Sequence, residues 1–235
     1  MEPRKTANAN DSSPILIGTW GFDVDGWSPS FYPEELPRDW RFAYYSNWLR
    51  AVLLPAESLA RARQAELQEW TDDADPDFRF IVELPPSAVD AVLASDHTAL
   101  DTYIALTAPL VEHIVGYVLP TNTLCRAADD VVARFIAKFG DVPVCAGEFT
   151  SLSNDCASRL ARIGIGTCWA AEQVAAPASG GRLLVVRTGV GTPAQQRAVL
   201  EASAQWQRKN TQVAIFFDDP AKAQQARLLA ELMGF

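Results

Sequence analysis

Three charged residues, Glu148, Arg187 and Asp218, each close an apolar run and stand out as candidate catalytic groups. Carboxylates gathered on one face can act as acid and base, or hold a divalent cation through oxygen. The same residues read equally well as structure, with Glu148 and Arg187 as an ion pair, so both roles stay open. Trp20, Asp23, Trp27, Tyr32, Glu83 and Trp169 are candidate ligand-binding residues beside them. Large aromatic side chains can stack on a sugar or a base, or they can pack over the end of a fold and close it. Gly189 and Gly191, in Thr188-Gly189-Val190-Gly191-Thr192-Pro193, precede a helix start and complete the set. Free backbone N–H groups there could seat a phosphate, and a plain tight turn is the other reading.

Other chemistries find little support. Only His97 and His113 are present, both near one helix and away from the candidate residues, which disfavours a Ser-His-Asp triad or a histidine zinc site. Cys125, Cys145, Cys156 and Cys168 are scattered without a C-x-x-C pair, so no metal cluster is expected. Asp72, Asp73, Asp75 and Asp77 lack the glycine and glutamate spacing of a calcium loop and read as a solvated turn. No cofactor can be named from these residues.

The elements that must position the candidates follow from apolar periodicity. Runs near 15–19, 50–54, 78–84, 114–119, 143–149, 163–169, 182–188 and 211–217 are short, continuous and rich in β-branched residues. Continuous apolarity marks strands buried on both faces, as in a parallel sheet. Helical patterns fall between them, at 37–48, 56–70, 96–110, 127–139, 154–163, 192–209 and 220–233. Thr192-Pro193 and Asp219-Pro220 each pair a capping side chain with proline at the first helical position. Eight strands alternating with helices predict a (β/α)8 TIM-barrel-like fold in one compact domain over 14–235. A doubly wound sheet is the runner-up, without the glycine fingerprint that would follow its first strand.

The chain has 235 residues, 49% of them hydrophobic, and 29 acidic residues against 20 basic ones give a net charge of −9. Such a charge disfavours non-specific binding to nucleic acid or to a phospholipid surface. No run is long enough for a membrane span. Residues 1–13 are polar, lack the apolar segment of a secretory signal, and are expected to form a disordered lead-in. The expectation is a soluble cytoplasmic protein with reduced thiols.

Ile17-Gly18-Thr19, Gly21, Trp27, Phe31-Tyr32-Pro33, Leu36-Pro37 and Tyr44-Tyr45 together resemble the opening of the YecE-like family, domain of unknown function 72. The likeness returns at Trp70, Phe78-Arg79-Phe80 and Val118-Leu119-Pro120, with Glu148-Phe149 and Arg187 similar to polar strand ends of that family. It implies a TIM-barrel-like fold with functional residues at the strand C-terminal ends and no agreed reaction. The departures are polar ones. Val52-Leu53-Leu54-Pro55 replaces a run with glutamate and asparagine, Thr150-Ser151 replaces Arg-His, Thr188-Gly189 follows Arg187 without the family histidine, and Phe217-Asp218 stands where asparagines occur. The resemblance therefore implies a divergent member. Two functional readings follow: a non-catalytic barrel that binds a small ligand or a protein partner, or an enzyme acting on a small phosphorylated or polyhydroxylated substrate with or without a metal.

Overall fold

All eight apolar runs form strands in the computed structural model, which describes residues 14–120, 124–147, 153–172, 181–207 and 211–235. In chain order these are β1 Leu16–Trp20, β2 Ala51–Leu54, β3 Arg79–Glu83, β4 Ile114–Leu119, β5 Val144–Ala146, β6 Gly166–Ala170, β7 Leu183–Thr188 and β8 Gln212–Phe217. Each pairs in parallel with the next, and β8 returns to β1 through Leu16↔Ala214 to Thr19↔Phe217, closing a barrel. The helices of eight residues or more among the described residues are α1 Arg41–Trp48, α2 Gln64–Asp73, α3 Pro86–Leu93, α4 Thr98–Leu106, α5 Asp129–Ile136, α6 Asn154–Arg162, α7 Pro193–Gln207 and α8 Pro220–Met233.

Side chains alternate along a strand, so a closed sheet sorts them into two cores. Leu16, Leu53, Ile81, Val118, Cys145, Cys168, Val185 and Phe216 fill the barrel interior. Their neighbours, among them Ile17, Val52, Val82, Leu119, Trp169, Val186 and Phe217, pack outward against the helices. An interior of this size is a filled core rather than a pore. The register shifts between Phe80 and Ile81, where β3 meets β4. Gly116 on β4 leaves room for a neighbour, since a Cβ there would lie 2.5 Å from Leu183 Cδ2.

Two helix boundaries differ from those the sequence predicts. The expected helix over 56–70 is two pieces, a single turn at Ala56–Leu59 and then α2. The break falls where Arg63 turns extended and donates its N–H to Glu66 Oε2 at 2.8 Å. Helix α3 is not among the helical patterns given above, and the prolines at its start do not bar it. Pro86 takes the first helical position, where no N–H is required.

Two of the four cysteines depart from the expectation of reduced thiols, while Cys145 and Cys168 are free. Cys125 and Cys156 form a disulfide, with Cα atoms 5.7 Å apart, tying the chain before α5 to α6. Spacing alone cannot bring these two residues together; the return of the chain around β5 does. No helix among the described residues is long and apolar enough to cross a membrane.

Candidate functional site

The C-terminal ends of the strands carry a polar cluster centred on β7. Arg187 sits with its guanidinium carbon 4.6 Å from the centre of the Trp20 ring at the end of β1. Its Nε and Nη2 both donate to Asp218 Oδ1 at 3.1 Å, just past β8. The pair stays open to water, with 43% of the Arg187 side chain and 53% of the Asp218 side chain exposed. A cation over an indole face, oriented by a carboxylate, gives a flat apolar surface edged by a donor fork and an acceptor.

Glu172 completes the cluster, and nothing in the sequence had singled it out. Its Oε1 accepts from Thr188 Oγ1 at 2.7 Å and from the N–H of Gly189. Thr188 Oγ1 in turn accepts from Val190 N–H at 3.3 Å, and Lys222 Nζ donates to Gly189 O at 2.7 Å. Gly189 lies between two carboxylates: a Cβ there would be 3.6 Å from both Asp218 Oδ2 and Glu172 Oε1. The turn over 189–191, read from sequence as a phosphate seat or a plain turn, therefore already gives a backbone N–H to an internal anion. At Gly191 the nearest neighbour is the aliphatic part of Lys222, 3.4 Å from an added Cβ.

Partial burial pushes the Glu172 carboxyl up, but hydrogen bonds from Thr188, Gly189 and Val190 outweigh it and hold the group below the ordinary glutamate range. A depressed folded-state value adds stability that is fully present above the unfolded glutamate value of about 4.3 and is lost as pH falls through the folded value. The carboxyl of Glu172, followed by NMR, is expected to titrate below free glutamate, with Gly189 amide exchange accelerating through the same transition. A midpoint at the free-glutamate value would refute this.

The remaining candidates lie elsewhere. Glu83 ends β3, accepting from Ala56 N–H at 3.1 Å and so holding the first turn after β2. Trp169 points away from the mouth: it is buried in the outer core against the helices, and the inward residues of β6 are Cys168 and Ala170. Taking the strand end one residue early selects the wrong face of a period-two element. Glu172, two positions beyond Ala170, is the residue that alternation would have found. Thr19 is likewise turned outward, sharing a hydrogen bond of 2.9 Å with Tyr45 Oη on α1.

Trp27 and Tyr32 do not present their rings to solvent. Both are buried, Tyr32 completely, in an aromatic wall with Phe31 and Tyr44 that packs the first loop onto α1. The Tyr32 hydroxyl donates to Phe22 O, and burial pushes its pKa far up. Asp23 is held by Arg38 and Arg41, each at 2.6 Å, on the rim of a cavity of about 470 Å³ between the first loop and α2. Glu148 lies outside the described residues. Among the described residues no group of three or more His, Cys, Asp or Glu is placed to hold a metal ion.

A closed parallel barrel with its polar cluster at the strand C-terminal ends defines a (β/α)8 protein of the TIM-barrel class. The chain belongs to the family described as "Protein of unknown function DUF72", whose profile matches residues 16–234. A DUF72 family protein from Thermotoga maritima is 14% identical, covers 94% of this chain and 100% of its own, and superposes with a TM-score of 0.69. Another from Enterococcus faecalis V583 is 11% identical, with 94% and 98% coverage and a TM-score of 0.66. A D-psicose 3-epimerase from Clostridium cellulolyticum H10, solved with D-tagatose, shares the fold at 11% identity, the same coverages and a TM-score of 0.54. No curated protein matches the chain in sequence.

Proposed function

We propose that this barrel binds a small polyhydroxylated ligand at its C-terminal mouth and does not convert it. The observation that carries this reading is the Trp20–Arg187–Asp218 arrangement, an indole face with a donor fork and an acceptor at its edge, open to water. Sugars and polyols are bound by such pairs of an apolar face and a few fixed polar groups. The state of Glu172 favours a hydrogen-bonding role over that of a general acid. General acid work near neutral pH needs a carboxyl held protonated, and Glu172 is held in the opposite direction. The net charge of −9 also makes nucleic acid an unfavourable partner.

Calorimetric titration with ketohexoses, aldohexoses, polyols and their phosphates tests the proposal; the shared fold of a ketohexose epimerase places ketohexoses first in that panel. One or more neutral polyols should bind saturably. Arg187→Ala should weaken that binding about tenfold or more, which corresponds to about 1.4 kcal/mol. Its melting temperature should stay close to that of the parent, since exposed ion pairs contribute only about 0–1 kcal/mol. An entirely silent panel, or product formed from any sugar, would overturn the reading.

A further inference from the structure

The barrel interior holds two thiols that the mouth does not use. Cys145 on β5 is fully buried, Cys168 on β6 is 6% exposed, and their Sγ atoms are 2.7 Å apart. Two sulfurs at this separation need close by only roughly 0.7 Å to reach the ordinary bond length of about 2.05 Å. They sit at the thinnest seam of the sheet. The β5–β6 ladder has only Cys145↔Gly166 and Ala146↔Thr167 in register, whereas β7–β8 pairs from Leu183↔Gln212 to Thr188↔Phe217. The Cys125–Cys156 disulfide spans the same region from outside, with one partner before β5 and one after it. One pair thus flanks the three-residue strand β5, and the other starts from its middle residue.

We propose that Cys145 and Cys168 are a second cross-linking site, a dithiol that a small hydroperoxide converts to a disulfide stapling β5 to β6 inside the barrel. Cys145 pairs with Gly166, so Cys168 lies further along β6, nearer the mouth, and is the more exposed of the two. The Cys168 sulfur attacks the hydroperoxide, breaking its O–O bond, so that a sulfenic acid forms and the alcohol departs. The Cys145 sulfur then displaces hydroxide from that sulfur, forming the S–S bond. The two thiol protons leave in the alcohol and in water, the two sulfurs are oxidised, and the peroxide is reduced. The surroundings suit the product, since Val118, Ala170 and Val185 share this apolar interior. Burial, together with the neighbouring Cys145 and the negative Glu83, pushes the Cys168 thiol well up. The thiol form therefore persists at neutral pH, and reaction takes a reactive oxidant and time rather than simple exchange with dissolved disulfides.

Alkylation of the full-length protein in denaturant without reductant, followed by peptide mass mapping, tests this before and after exposure to hydrogen peroxide. After exposure, Cys145 and Cys168 should escape alkylation and appear as one linked peptide pair that a thiol reductant separates. Finding that link already in air-purified protein would support the same conclusion. In Cys145→Ala, Cys168 lacks its resolving partner and should accumulate as a sulfenic acid captured by a diketone probe. Both thiols alkylated after exposure, or Cys168 carried to the sulfinic acid with no linked peptide, would overturn the proposal; neither outcome touches ligand binding at the mouth.

Discussion

Gly18→Ala is expected to destabilise the barrel by about 4 kcal/mol or more, the range reached only by a forced steric or packing failure. A Cβ on Gly18 would lie 1.8 Å from Ala51 O and 2.6 Å from Ala51 C, both backbone atoms of the adjacent strand. A flexible side chain could swing away; a paired strand cannot. Gly18 is itself in register with Ala51, so relief would require opening the β1–β2 ladder. The third near atom, Tyr45 Oη at 3.1 Å, shows what the missing side chain makes room for. That hydroxyl accepts from Thr19 N–H at 3.0 Å and donates to Ala51 O at 2.8 Å, bridging β1 and β2 from α1. The substitution therefore threatens a ladder and a buried hydrogen-bond bridge together. Circular dichroism melting should register a loss on the order of 10 °C, or a protein that does not fold. A variant melting within a few degrees of the parent would show that the strands can separate locally, contrary to this account.

Removing the Cys125–Cys156 disulfide should cost roughly 3–4 kcal/mol, from the loop-closure entropy returned to the unfolded chain. The bond closes a loop with a sequence separation of 31, and for a domain of this size the loss corresponds to about 10 °C in melting temperature. Reductant alone is an ambiguous probe, because it also acts on a Cys145–Cys168 link. The Cys125→Ser, Cys156→Ser double variant isolates the outer bond, and scanning calorimetry beside the parent reads the difference. Equal melting temperatures would mean that the bond constrains nothing the unfolded chain explores.

The strands were legible in the sequence because burial on both faces leaves continuous apolar runs, and Leu183-Leu184-Val185-Val186 cannot be read in many other ways. Helix starts at Pro193 and Pro220 were legible because their caps are local: Thr192 Oγ1 accepts from Gln195 N–H, and Asp219 Oδ1 from Lys222 N–H. The mouth was legible in part. Arg187, Asp218 and Trp20 end their strands on the inward face and meet there, whereas Trp169 needed its strand end fixed to one residue. Cysteine pairing and the Glu172 contact depend on segments that only the closed barrel brings together. The first-loop aromatics misled for a different reason. Aromatic composition does not say whether a ring faces solvent or a helix, and Tyr32 packs against Tyr44 of α1.

Closure has a consequence for the order in which the protein is made. Of the eight strands, β1 leaves the ribosome first and its partner β8 last, so Leu16 waits for Ala214. Until Phe217 has emerged, the growing sheet keeps two open edges, each a row of unpaired amide groups able to recruit another chain. A nascent chain stalled after β7 is therefore an open sheet lacking the strand that seals it, and every full-length copy passes through that exposed state once.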